Sequence, residues 1–125
     1  MKTINPVSMS KPAGHYSAAT VHNGFVFVAG QLPSDKEGNL IAGTIEEQTL
    51  LCLQRIRTIL EAANSEITSI LKVNIFVDDI ENWSRVNATY AVFFGDHRPA
   101  RVIVPTGKLK AGCLVEIDCI AAVKE

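Results

Sequence analysis

Directly after Asn23-Gly24 the chain places five apolar residues in a row, Phe25-Val26-Phe27-Val28-Ala29. Asn-Gly accepts the positive φ angles of a type I′ turn, so this run is the second arm of a hairpin whose first arm is Tyr16 to His22. Side chains alternate between the two faces of a strand, and a run that is apolar at both parities needs cover on both sides of its sheet. That requirement narrows the folds open to the chain. Its 125 residues are enough for one domain with a real core, spanning 1–125. Within it, residues 1–13 carry Pro6 and Pro12 and read as an extended N-terminal arm, with ordered structure beginning near Gly14.

Past the hairpin, GQLPSDKEGNL is rich in turn residues, with Leu40-Ile41 as a short edge strand. Thr44 and Glu47 form a T-x-x-E capping box, and Cys52, Leu53, Ile56, Ile59, Leu60 and Ala63 follow at helical spacing. The pattern predicts a helix of about five turns ending near Asn64. Ile70 to Val77 reads as a strand, with Lys72 and Asn74 on the opposite parity from Leu71, Val73, Ile75 and Val77. Asp79 can cap a second helix, which carries Trp83, Val86, Tyr90 and Phe93 or Phe94 on one face and stops by Gly95. Two final strands, Arg101 to Val104 and Leu114 to Val123, are joined by PTGKLKAG.

Two helices cover one face of such an α+β sheet. The other face should then be polar, yet Phe25 to Ala29 is apolar throughout, and Leu114, Ile120 and Ala122 are apolar on the parity opposite the core. An apolar face with no helix left to shield it predicts partner copies, hence a homo-oligomer.

The charge balance excludes several function classes. Twelve basic residues against thirteen acidic ones leave a net charge of −1, which gives no global attraction for nucleic acid or acidic membranes. No apolar run reaches the ~18 residues of a membrane span, and MKTINPVSMSKPAGHY has no signal-peptide core, so the expected location is the cytoplasm. Lys108 and Lys110, with Arg98, are the one hint of a basic patch. Cys52, Cys113 and Cys119 are odd in number and lack CxxC spacing, so they read as reduced core thiols. His15, His22 and His97 follow no metal-ligand pattern, and no metal is expected.

Glu116 and Asp118 interrupt the last apolar strand on the parity of Leu114 and Ile120, so both carboxylates point to the face assigned to the interface. Arg101 opens the preceding strand. It either runs to the surface or meets a carboxylate, and Glu116 is in reach if the two final strands are neighbours. Such a pair can settle register at an interface, or it can hold a small carboxylate on the planar guanidinium while the glutamate handles a water.

GHYSAATVHNGFVFVAGQLP, VNATYAVFF, PARVIVP and LVEIDCIAAV together resemble the reactive intermediate deaminase family, also called the RidA/YjgF or L-PSP family, from about Gly14 onward. The resemblance implies a chorismate-mutase-like (YjgF-like) mixed sheet with two helices on one face. It also implies a homotrimer with a pocket in each inter-subunit cleft. It further implies hydrolysis of enamines and imines such as 2-aminoacrylate or 2-iminobutyrate to 2-oxo acids and ammonia, without cofactor or metal. Arg101 matches the arginine that clamps the substrate carboxylate, and Glu116 the glutamate that positions the water. Tyr16 matches the pocket tyrosine, while Gly30 and Asn87 fall on the AGQ and VNATY positions. Val102, Ala29 and His15 depart from the serine, serine and proline common there, which removes hydroxyl groups near the pocket. A binding module for small carboxylates without turnover is the alternative, and endoribonuclease action ranks third, since clustered basic residues are lacking.

Overall fold

Asn23 and Gly24 adopt φ of 50° and 82° in a computed structural model of the chain, which describes residues 1–124. The turn joins β2 (Ala19–His22) to β3 (Phe25–Gln31) in antiparallel register. Ordered structure starts well before Gly14. Residues Lys2–Ile4 form β1, pairing Lys2 with Val21 and Ile4 with Ala19, and Ile4 is buried. Three residues are too few to show a strand period, and Pro6 follows at once, which is why the arm carries no strand signal. Leu40-Ile41 makes no strand; Leu40 contributes a single bridge to Ser34.

The capping box forms at both contacts. Glu47 N–H donates to Thr44 Oγ1 at 3.1 Å, and Thr44 N–H donates to Glu47 Oε1 at 3.2 Å. Helix α1 (Ile45–Ala62) then buries Cys52, Leu53, Ile56, Ile59 and Leu60 completely. Strand β4 (Ile70–Val77) follows the alternation from Val73 onward, but its register shifts between Ile70 and Lys72 and Leu71 is turned outward. Asp79 caps a single 3-10 turn, Ile80–Asn82, by accepting the Glu81 N–H at 3.0 Å. Helix α2 (Trp83–Phe94) continues from that turn, buries Val86, Tyr90 and Phe94, and ends at Gly95 with φ 62°. Strands β5 (Ala100–Pro105) and β6 (Val115–Ala122) complete the chain's order.

These strands form one mixed sheet in the order β1-β2-β3-β6-β4-β5. All neighbours are antiparallel except β4 and β5, which are parallel and joined through α2. A parallel pair needs such a crossover. Val115, Ile117, Cys119 and Ala121 of β6 and Val73, Ile75 and Val77 of β4 are buried with both helices in one core. The architecture is therefore α+β, with two helices on one face.

The opposite face stays open. Phe25 pairs with Ala122 and Phe27 with Ile120, and the two phenylalanines are 43% and 44% exposed. Around Phe25, Phe27, Ile120 and Ala122 this face is apolar, as the sequence requires, and Lys72, Asn74, Glu116 and Asp118 share it. No helix among the described residues is long and apolar enough to cross a membrane.

Candidate functional site

Glu116 lies on the open face, opposite Phe76 of β4. Its other neighbour is set by a bulge. Val28 pairs with Cys119 and Gln31 with Ile117, so Ala29 and Gly30 share the space opposite Asp118. The extra residue drives the backbone of Gly30 against the Glu116 carboxylate. A Cβ at Gly30 would stand 3.0 Å from Glu116 Cδ and overlap Oε2, so only glycine admits the carboxylate there.

Burial, and then the neighbouring charge of Asp118, push the Glu116 carboxyl above the usual carboxylate range. Asp118 is itself fixed. Asn74 Nδ2 donates to Asp118 Oδ1 at 2.7 Å, and Lys72 Nζ donates to Asn74 Oδ1 at 3.0 Å. The raised value has a consequence for stability. A carboxyl harder to ionise in the folded chain favours folding below its ordinary value near 4.5 and opposes it as pH rises through the folded value. Glu116→Gln is therefore expected to raise the melting temperature at pH 7 and to leave it nearly unchanged at pH 4. Scanning calorimetry at both values checks this, and equal increments would refute it.

Beside the bulge, a cavity of about 160 Å³ is walled by the N-terminal segment, Tyr16, Gly30, Gln31 and Arg55. Tyr16 is 56% exposed, so its ring is a wall rather than a core member.

The second group of residues sits elsewhere. Arg101 pairs with Val73, whose side chain is in the core, so its own side chain leaves the sheet on the helix side of the edge strand β5. There Nη1 donates to Asn87 Oδ1 at 2.9 Å. The guanidinium carbon stands 4.7 Å from the Tyr90 ring centroid and 5.6 Å from that of Trp83. Aromatic faces offset part of a cation's lost hydration. Among the described residues Arg101 has no carboxylate partner. It lines a cavity of about 450 Å³ with Asn87, Tyr90, His97, Arg98 and Pro99. The Tyr90 hydroxyl is buried without a hydrogen-bond partner, and burial pushes it up to about 12.

The expected approach of Arg101 to Glu116 does not occur within one chain. Strand β4 lies between β5 and β6, and the two side chains leave opposite faces of the sheet. The cause is topological: β5 is delivered by the α2 crossover to the outer edge of β4, so PTGKLKAG spans a strand instead of closing a hairpin. Tyr16 and Gly30 thus line one cavity, with Glu116 against Gly30, while Asn87 and Arg101 line the other.

Of the remaining candidates, Cys52, Cys113 and Cys119 are buried and unpaired, and burial raises all three thiols, Cys119 to about 12. His97 places Nε2 2.9 Å from the Ile70 carbonyl. No three His, Cys, Asp or Glu side chains converge among the described residues. Lys110 and Arg98 line different cavities, so the basic hint does not become one patch. Val102 is exposed on the open face opposite Asn74, Ala29 lies in the bulge, and His15 is exposed.

Sequence reasoning passed over Arg55. It sits three residues after Cys52 and four before Ile59, at the border of the apolar stripe of α1, where it is only partly buried. Its Nε donates to Gln31 Oε1 at 3.0 Å and its Nη1 to the Asp35 carbonyl at 2.8 Å.

A bulged mixed sheet with two helices on one face, and polar cavities beside the bulge and beside β5, defines an α+β protein of the YjgF-like fold. The family model described as Endoribonuclease L-PSP matches residues 7–123, and the chain belongs to this family, the RidA/YjgF or reactive intermediate deaminase family. It is 40% identical over 112 residues to a RutC family protein of Pyrococcus horikoshii, covering 89% of each chain. The crystal structure of the E. coli YjgF gene product superposes with a TM-score of 0.91 at 30% identity, covering 99% of this chain and 100% of that one. E. coli TdcF, crystallised with bound serine, gives 0.91 at 26% identity with the same coverage.

Proposed function

We propose that this protein is a cofactor-independent deaminase that hydrolyses small 2-imino and 2-enamino acids, of the 2-aminoacrylate and 2-iminobutyrate type, to 2-oxo acids and ammonia. The observation that carries the reading is the guanidinium of Arg101, held by Asn87 and two aromatic faces with no carboxylate among the described residues to neutralise it. A planar cation so fixed suits bidentate capture of a substrate carboxylate. Glu116, on the opposite face, supplies the proton-transfer group. Three copies packed through their open faces, with β5 of one copy near the bulge of the next, complete each site. Tyr16 and Gly30 then belong to one copy, and Asn87 and Arg101 to its neighbour. The serine bound by TdcF, an amino acid with a free carboxylate, fits this class of ligand.

The chemistry asks little beyond orientation and one proton carrier. An enamine first takes a proton at carbon and loses one from nitrogen to give the imine. Water oxygen then bonds to the imine carbon as the C=N pair moves to nitrogen, and Glu116 passes a proton from that water to nitrogen, giving a carbinolamine. Glu116 next takes the remaining hydroxyl proton and delivers it to the amine as the C–N bond breaks, which releases ammonia and leaves the carbonyl. A carboxyl held above its ordinary range by burial is suited to both transfers. No metal or cofactor enters the scheme.

Ammonia release from freshly generated 2-iminobutyrate, followed by a coupled assay, tests the proposal. Acceleration above the buffer rate supports it; a rate equal to buffer overturns it. Saturable binding of 2-oxobutyrate without turnover would instead favour a binding module, a reading that the missing hydroxyls at Ala29 and Val102 make worth measuring. RNA cleavage is not proposed, because Lys110 and Arg98 do not share a surface cavity. We place the protein in the cytoplasm.

A further inference from the structure

The cavity beside the bulge has an unusual charge inventory. Lys11, Arg55 and Lys110 line it, and among the described residues no Asp or Glu does, although Glu116 lies behind Gly30 and the chain as a whole carries a net charge of −1. Arg55 is the built element. Its guanidinium is half-buried, and burial lowers its affinity for a proton, the direction that an unmet cation gives. Both of its hydrogen bonds go to uncharged oxygens, those of Gln31 and the Asp35 backbone, so three of its five N–H groups remain for a ligand. The charge of Asp35 acts on Arg55, but among the described residues the two form no salt bridge. The Asp35 carboxylate accepts the backbone N–H groups of Glu37 at 3.0 Å and Asn39 at 2.9 Å, and the Asn39 side chain at 3.3 Å. Gln31, itself buried, is held by donating Nε2 to the Ala29 carbonyl at 3.0 Å, so the bulge and the guanidinium form one rigid unit.

A partly buried cation at the border of a helix's apolar stripe costs stability unless something meets it. The geometry points to Arg55 as a second anion-binding point of the Tyr16–Gly30 cavity, so that the preferred ligand is a 2-imino or 2-oxo acid whose side chain ends in a carboxylate. This rests on the deaminase reading for the first carboxylate, which Arg101 of a neighbouring copy receives. The second carboxylate meets the Arg55 fork, with Tyr16 forming the cavity wall and Lys11 and Lys110 at its margin adding positive potential. Short substrates such as 2-iminobutyrate still fit but leave Arg55 unmet.

Calorimetric titration of the intact protein with 2-oxoglutarate and 2-oxobutyrate, as stable product analogues, reads the effect. The wild-type protein is expected to bind 2-oxoglutarate about tenfold more tightly. Arg55→Met should bring the two affinities to parity by weakening 2-oxoglutarate alone, and Arg55→Lys should recover part of the difference. Equal wild-type affinities overturn the inference without any variant, whatever Arg55→Met does to folding. A preference that survives Arg55→Met also overturns it. If 2-oxobutyrate binds in an Arg101-dependent way but 2-oxoglutarate gains nothing, the deaminase reading stands and this inference fails. If 2-oxoglutarate binds through Arg55 while Arg101→Ala changes neither ligand, the anion point stands and the deaminase site fails.

Discussion

Replacing Arg101 by alanine is expected to lower kcat/KM for a 2-imino acid by about a hundredfold, near 2.7 kcal/mol of transition-state binding, with folding little affected. Among the described residues no carboxylate forms an ion pair with this side chain. The folded chain loses one hydrogen bond to Asn87 and contact with the Tyr90 and Trp83 rings, and Arg101 is only partly buried. The substrate loses its one planar cation. Arg101→Lys separates charge from shape, because an ammonium is a point charge and cannot form the two parallel bonds of a guanidinium. It should recover less than about a tenth of the lost activity. Steady-state kinetics of the three proteins, with melting curves beside them, decide the matter. Unchanged kcat/KM in Arg101→Ala would remove the carboxylate clamp from the scheme.

The second large effect is expected from the smallest change, Gly30→Ala. A methyl group at this position overlaps the end of the Glu116 side chain, which is flexible, rather than backbone. The fold can absorb that by rotating Glu116 away, so the melting temperature should fall by no more than a few degrees, equivalent to about 1 kcal/mol. Catalysis cannot absorb it. A proton carrier displaced by about 1 Å costs on the order of a hundredfold in rate. The expected pattern is a collapse of kcat with 2-oxo acid binding through Arg101 largely kept. If kcat and the wild-type pH profile both persist, Glu116 does not carry the proton.

Local signals were legible in the chain because their causes are local. The Asn23-Gly24 turn, the Thr44 to Glu47 capping box and the stripe from Cys52 to Leu60 each depend on residues within a few positions of one another, and each forms where the pattern puts it. The uncovered apolar face was legible too, since it follows from counting helices against strands. What escaped depends on partners far along the chain. The bulge at Ala29-Gly30 exists only relative to β6, and the place of β5 outside β4 is settled by the α2 crossover. Hence Arg101 and Glu116 could be singled out, and parity put Glu116 on the open face, but the departure of Arg101 from the other face could not be read. Arg55 left a mark at the border of the helical stripe, and reading that mark as a question would have found it.

The sheet's two rims carry a last consequence. One ends in β1, three residues long with Lys2 in it, and the other in β5, which is preceded by Pro99 and closes on Pro105. Short, charged or proline-bounded borders discourage strand-by-strand accretion. Any self-association is thereby steered away from open-ended fibres and toward the broad phenylalanine-bearing surface.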